Sequence, residues 1–336
     1  QAIYEDLVKE LDAAMDLIAD APATATKLGS DDIMFGGDMD LWWKFANTVK
    51  LRILVNQSGM TGRDSYITTA LATQPHSTAD YLGAGESAFV NPGYVKSEGK
   101  MNPFWENFYK QDDSQQADGL TYFAANQDAC DFLSENFDPR SFRFFAPNAS
   151  GVIRGNYYGG YVAISPAQTS PLGPGLIRAY NQSSIIMMDF ESLFLQAEAV
   201  QRNYLTGDAK ALYESAVTQS VIYMGGPNGN AAAAAAYLGD DTKPLVNYGA
   251  ATNKLQTILT QKWVSMIGIS PMPLWTDFRR SGYPDFIHWS ISPEKKNATP
   301  PVRLLYPQTE LNVNNDNVVA VGAINAFTSK IFWQNR

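Results

Sequence analysis

The sequence is poor in the residues that build the commonest reactive centres. Cys130 is its only cysteine, and His76 and His288 are its only histidines. One cysteine leaves no intrachain disulfide and no cysteine-based zinc site. The histidines lie far apart, and neither falls in an H-E-x-x-H or serine-elbow context, which argues against a metallohydrolase or a histidine-based triad. Lysine and arginine form no runs and the formal net charge is −9. The clustered cations that release counterions from nucleic acid or an anionic membrane are therefore missing. No stretch approaches the ~18 to 20 apolar residues that span a bilayer, and no basic, apolar leader opens the chain. Asp31-Asp32, Asp38-x-Asp40 and Asp240-Asp241 are rich in oxygen, but none fits the D-x-[DN]-x-[DN]-G calcium loop, so caps and solvated turns are expected there.

What is present is apolar surface and aromatic rings. The 336 residues are 45% hydrophobic and 18% charged, enough to bury a large core as one big domain or two modest ones. Seven tryptophans and seventeen tyrosines exceed what the core of a helical scaffold needs, so some are expected on loops. The stretch Met187 to Gly225 reads as two helices joined by a short turn. Phe190, Leu193, Phe194 and Ala197 supply one apolar face, and Leu212, Ala216, Val217, Ser220 and Tyr223 supply the other. Between them Gly207 stops the first helix and Asp208 caps the second. Ala197, Ala199 and Ala216 are small enough for close approach, as in a tetratricopeptide-like unit.

Similar hairpins are expected elsewhere. Tyr4, Leu7, Leu11, Ala14 and Ile18 form one helical face; Trp42, Phe45, Ala46, Val49 and Ile53 form the next, with Asp38 or Asp40 as cap and Gly59 as stop. From Gly83 to Ser184 periodicity fades into Pro- and Gly-rich loops with one helix from Gly119 to Asn136. About a hundred residues of loop inside a helical protein call for a function or for much packing. Asn228 to Leu238 and the stretch after Thr252 or Asn253, with Leu255, Ile258, Leu259, Trp263 and Met266, complete the helices.

Four blocks resemble the SusD/RagB family, nutrient-binding lipoproteins on the surface of Bacteroidetes. Glu191, Phe194, Leu195, Ala197, Glu198 and Ala199 look like the E-x-x-F-L-x-A-E-A signature. Asp38, Lys44, Phe45, Ala46, Asn47, Lys50, Leu51 and Arg52 match a D-…-W-x-K-F-A-N-S-L-K-L-R pattern. Ile258, Gln261, Lys262 and Trp263, then Trp275, Arg279, Arg280, Gly282, Tyr283 and Pro284, resemble I-x-x-Q-K-W … W-x-E-x-R-R-T-G-Y-P. Arg303, Tyr306, Pro307, Glu310, Asn314 and Asn317 continue in the family's order, and Asp138-Pro139-Arg140 is similar to its D-P-R turn.

The fold expected is mainly α: tetratricopeptide-like hairpins with a large loop-rich insertion. Residues 1–82 form a hairpin region, 83–186 the insertion and candidate ligand side, and 187–336 hairpins and C-terminal loops of one SusD-like domain. The resemblance implies a non-catalytic lipoprotein on the extracellular face of the outer membrane. It would capture an oligosaccharide or peptide and deliver it to a SusC-like TonB-dependent transporter. It also implies a further N-terminal segment carrying the leader and the lipid anchor, which are absent from this chain. No cofactor is implied, although some members bind calcium. A tetratricopeptide-type interaction scaffold and a surface glycoside hydrolase are the competing readings; for the latter, Glu106, Asp112, Asp113 and Asp277 are available but at no diagnostic spacing.

Ligand residues in such proteins lie in variable loops, so the candidates come from chemistry. Sugar C–H faces stack on flat rings while hydroxyls need polar partners. The loops 102–115 and 154–161 hold both. Trp105, Tyr109, Tyr157, Tyr158 and Tyr161 are the aromatic candidates, with Asn107, Asp112 and Arg154 as polar ones. The competing role for each is to pin a long loop to the helical core.

Overall fold

The computed structural model describes residues 1–117, 119, 123–160 and 164–334. Its helices run in the order α1 (Ala2–Ala19), α2 (Met39–Val55), α3 (Asp64–Leu71), α4 (Pro103–Glu106), α5 (Gln127–Glu135), α6 (Ser141–Phe144), α7 (Asp189–Gln201), α8 (Ala209–Met224), α9 (Ala231–Leu238), α10 (Lys254–Ser265), α11 (Pro271–Ser281), α12 (Gln308–Val313) and α13 (Asn315–Val321). Strands β1 (Ala88–Val90) and β2 (Ser184–Met187) pair antiparallel. The chain is mainly α, as expected. The β1–β2 ribbon joins the two ends of the loop-rich stretch, so residues 91–183 leave and return at one place.

Local capping chemistry sets most helix starts. Asp38 accepts the amides of Asp40 and Leu41 at 3.0 and 3.1 Å, Asp208 that of Ala211 at 3.0 Å, and Asn253 that of Gln256 at 3.2 Å. Gly282, at φ 78°, ends α11 in the left-handed conformation that glycine adopts without strain. The helix expected over Gly119 to Asn136 lies partly outside the described residues; within them Asn126 caps α5 through the Ala129 amide, and residues 123–125 before it are not helical. The stop expected at Gly59 falls earlier, at Asn56.

Two expected faces are rotated. In α1 the buried residues are Val8 and Met15, with Tyr4, Leu11 and Ile18 half-buried, while Leu7 and Ala14 stay outside. Residues 4, 8, 11, 15 and 18 follow the same helical period along a neighbouring line. In α2 the expected stripe is only half-buried, and the side turned inward carries Asn47, Thr48, Lys50, Leu51, Leu54 and Val55. Helix α2 packs against both α1 and α7, so it needs two inner faces. Its buried polar groups bind α1 and the segment that follows α3. Asn47 donates to the carbonyls of Pro75 and Asp80, each at 3.0 Å, while Lys50 reaches Asp12 at 2.6 Å and Thr73 at 2.7 Å.

The largest departure is α7. An apolar face was expected, yet every residue from Asp189 to Ala199 is buried. One side packs Phe190, Phe194 and Ala197 against Tyr213, Ala216 and Val217 of α8 in the main core. The other side carries Glu191 and Glu198. Arg280 of α11 grips Glu198 with two bonds of 2.5 and 2.6 Å and Asp277 at 2.6 Å; Lys262 of α10 lies 2.9 Å from Asp277, and Arg202 joins Glu198 at 2.8 Å. Arg52 ties Glu191 to α2 at 3.2 Å. A second buried arginine, Arg140, forks onto Asp138 and reaches Ser220 of α8, Ser265 and Gln261 of α10 at 2.9, 2.9 and 3.1 Å. The residues shared with the signature blocks are thus largely the charged rivets between helices.

The loop-rich stretch shares the main core. Trp105, Phe108, Phe132 and Phe144 are buried together with Phe190 and Phe194. Trp105 is 5% exposed and stacks on Tyr109, with ring centroids 5.2 Å apart. Its expected place on a ligand-binding loop is corrected: the short helix α4, capped by Asn102 on the Trp105 amide at 3.0 Å, turns the indole inward. Trp105→Ala should therefore cost about 3–5 kcal/mol of stability, the range for emptying a buried aromatic site. Chemical denaturation that finds less than about 1 kcal/mol would contradict this placement.

Glu198 carries a pH-dependent share of stability. Burial alone would raise its pKa, but the charge and hydrogen bonds of Arg280, then the charges of Arg202 and Lys262, outweigh it and hold the carboxyl at about 2, against an ordinary 4.5. A carboxylate held down in the folded chain stabilises it above the unfolded pKa, and the gain is lost as pH falls toward the folded one. Glu198→Gln should lower stability by about 3–5 kcal/mol because it leaves Arg280 under-compensated. Between about pH 4.5 and about 2 the Tm of the unsubstituted chain should drop more steeply than that of the Gln variant, whose amide does not titrate. Parallel Tm curves would show that Glu198 titrates normally.

Candidate functional site

The surface beside α10 and α11 is assembled from four segments that meet through backbone bonds. Asn156 donates to the Ala125 carbonyl at 2.9 Å and accepts from the Gln127 amide at 3.0 Å; Ser170 donates to the Arg154 carbonyl at 2.7 Å. Gly155 permits this approach, because a Cβ there would sit 2.4 Å from the Ala125 oxygen. On the far side the Ile291 amide donates to the Tyr158 carbonyl at 3.0 Å. Loop 283–291 is anchored by Phe286, which stacks on Phe132 at 5.3 Å and meets Trp263 edge-on at 5.8 Å.

These segments enclose an aromatic groove of about 340 Å³. Tyr158, Trp263, Leu274, Trp275, Phe278 and Trp289 line it, with Asn126 and His288 as its polar members. Trp263, Trp275 and Trp289 are half-buried, and Tyr158 is 58% exposed. Tyr158 and Trp289 lie 5.4 Å apart at 32°, while the Arg279 guanidinium stacks on Trp275 at 3.7 Å. Half-buried rings held by packing cost little to order around a ligand.

A second cavity of about 680 Å³ with a mixed lining draws on the same segments, with Gln127, Arg154, Asn156 and Tyr157 beside Val152, Ile153 and Ile291. The Asn156 carboxamide oxygen is buried without a partner among the described residues. Tyr157 donates its hydroxyl to Asp131 at 3.1 Å, and that bond, with desolvation and the charges of Asp131, Asp128 and Glu135, raises its pKa. Among the described residues no group of three or more His, Cys, Asp or Glu is placed to hold a metal ion.

The residues expected to bind ligand are divided among these places. Tyr158 lines the groove, Arg154 and Tyr157 line the second cavity, and Tyr161 lies outside the described residues. The group from loop 102–115 does not join them. Trp105 is core, Tyr109 is half-buried against it and Asn107 caps the end of α4. Asp112 accepts the amide and hydroxyl of Ser114 at 3.0 and 2.6 Å and borders a separate cavity with Glu98, Glu106 and Lys110. Sequence reasoning missed Trp263, Trp275, Trp289 and His288. Trp263 and Trp275 sit inside the signature blocks and read as packing. Trp289 stands in a Ser- and Pro-rich stretch whose only signal was an aromatic ring on a loop.

A family described as "Starch-binding associating with outer membrane" matches residues 1–307. No curated protein matches the chain. Among solved structures, a SusD-like protein from Bacteroides thetaiotaomicron shares 24% identity at a TM-score of 0.76, over 100% of this chain and 73% of that one. A SusD homolog from Bacteroides fragilis shares 22% identity at 0.75, over 100% and 75%. A protein described as chitin-binding shares 21% identity at 0.75, over 100% and 73%. At these identities the likeness establishes the fold, while the match over residues 1–307 establishes descent: the chain belongs to the SusD-like family, whose description is starch binding and association with the outer membrane.

Proposed function

We propose that this chain is a non-catalytic nutrient-binding protein that captures an oligosaccharide at the extracellular face of the outer membrane. It then passes the ligand to a SusC-like TonB-dependent transporter. One observation carries the reading: three half-buried indoles and an exposed tyrosine line one open groove. Flat rings of this kind match the C–H faces of pyranoses, and the groove's few polar groups suit hydroxyls better than a charged peptide backbone terminus. Starch, named in the family's description, and chitin, named for a structural neighbour, set the ligands to try first.

Capture without chemistry fits the carboxylates nearby. Asp128 and Asp131, on the helix that Asn126 caps at the edge of the groove, each already accept two protein hydrogen bonds. A glycosidase needs one free carboxylic acid and one free carboxylate flanking the bond. No cofactor enters this reading, since stacking and hydrogen bonding suffice for binding.

Calorimetry of the purified chain against maltoheptaose, chitohexaose and a peptide panel tests it, with Trp289→Ala and Tyr158→Ala alongside. One oligosaccharide class should bind, and each substitution should weaken it about tenfold or more, about 1.4 kcal/mol, with Tm unchanged. Binding of peptides alone, or saccharide binding indifferent to both substitutions, would overturn the assignment of this groove.

A further inference from the structure

His288 is the most tightly held polar side chain on the aromatic groove. Its backbone amide donates to Asp128 Oδ2 at 3.0 Å, and its Nδ1 lies 2.5 Å from Asp128 Oδ1. Asp128 sits in the first turn of α5 with its side chain 3% exposed, where the helix N-terminus favours a carboxylate. On the ring's other flank Tyr157 packs edge-on at 4.9 Å, itself fixed by Asp131, which also accepts from Gln127 at 2.6 Å. Two acidic residues one turn apart on α5 thus hold the imidazole and the tyrosine ring that packs against it. The His288 side chain is nevertheless 55% exposed and lines the groove.

The direction of the Asp128 bond decides what the ring shows its surroundings. Both carboxylate oxygens face donors, and an ionised carboxylate only accepts. The proton of the neutral imidazole therefore resides on Nδ1, and Nε2 presents a lone pair. Elsewhere in the groove the lining is indole, phenol, phenyl and alkyl, apart from Asn126, whose side-chain oxygen is occupied in capping α5. A ring acceptor held in a fixed direction beside flat rings is a selective element. A site built to hydrogen-bond a hydroxyl rejects an analogue that lacks it far more strongly than packing alone can.

Resting on the capture reading above, we propose that His288, held as its Nδ1–H tautomer by Asp128, determines specificity in the groove. Its Nε2 accepts a hydrogen bond from a hydroxyl of a sugar stacked beside it. Asp128 is a positioning residue that never touches the ligand. The ligand class is a saccharide presenting an equally placed donor hydroxyl at the edge of its stacking face; a deoxy sugar at that position is discriminated against.

The test combines calorimetry with long-range proton–nitrogen NMR of the full 15N-labelled chain, using maltoheptaose and chitohexaose as probes. The free chain should show His288 with a protonated Nδ1 and an unprotonated Nε2, and the bound probe should shift Nε2. His288→Phe, which keeps a ring but removes the acceptor, should weaken binding about tenfold or more, and His288→Gln, whose amide oxygen can replace Nε2, should restore part of it. Asp128→Asn can keep the backbone bond through its oxygen while its amide donates to Nδ1. It should reverse the tautomer and weaken binding similarly, a spectral change that loss of packing would not produce. If Trp289→Ala abolishes binding while His288→Phe and Asp128→Asn leave it unchanged, the inference fails and capture by the groove stands. An unprotonated Nδ1 in the free chain overturns the inference by itself. If neither probe binds the unsubstituted chain, the capture reading fails and takes this inference with it.

Discussion

A helix buried on every face must find partners for each charged side chain it carries, since an unpaired buried charge costs several kcal/mol. Helix α7 meets that requirement by placing Glu198 against Arg280 and Arg202, and Glu191 against Arg52. The ion network links the helix to α2 on one side and to α10 and α11 on the other. Asp277 extends it from Arg280 to Lys262. Because buried ion pairs contribute little net stability compared with apolar packing, what they add here is directional: each pair ties α7 to a set place on α2 or α11.

That arrangement reaches the groove directly. Lys262 points into the network while its neighbour Trp263 lines the groove; on α11, Asp277 and Arg280 are buried while Leu274, Trp275 and Phe278 line it. The aromatic wall is therefore the outer side of the two helices whose inner side is held by Glu198. The opposite wall comes from loops that carry no regular structure of their own. Their order derives from Trp105, Phe132 and Phe144 entering the main core and from Phe286 inserting between Phe132 and Trp263. Loops pinned by buried rings can hold exposed rings in place, and preorganised rings bind with less loss of entropy.

Local signals in the sequence were legible where the physics is local. Asp38, Asp208 and Asn253 cap the helices they were expected to cap, but α7 ends at Gln201, ahead of the stop expected at Gly207, with Arg202 as its cap and Asn203 left-handed at φ 62°. Periodicity located α1, α2, α7 and α8 but not the inner faces of α1 and α2, because several lines along a helix carry apolar residues and neighbours choose among them. Trp105 misled for a related reason. An aromatic residue beside Asn and Pro reads as a loop platform, yet a one-turn helix capped by Asn102 turns it inward.

The sequence by itself determined helix content, most caps and, through its signature blocks, family membership. Those properties depend on residue type and on spacings of a few positions. Only the tertiary structure decided that the signature charges are internal rivets, that Asp112 borders one cavity while the described candidates Arg154, Tyr157 and Tyr158 line others, and that Tyr158, Trp263, Trp275 and Trp289 form one surface. These rings are separated by up to 131 positions in the chain (289 minus 158) and belong to two helices and two loops. The pairing of Asp128 with His288 spans 160 positions. Such meetings depend on how α5, α10 and α11 pack, and packing is set by the sum of many contacts that no short spacing encodes.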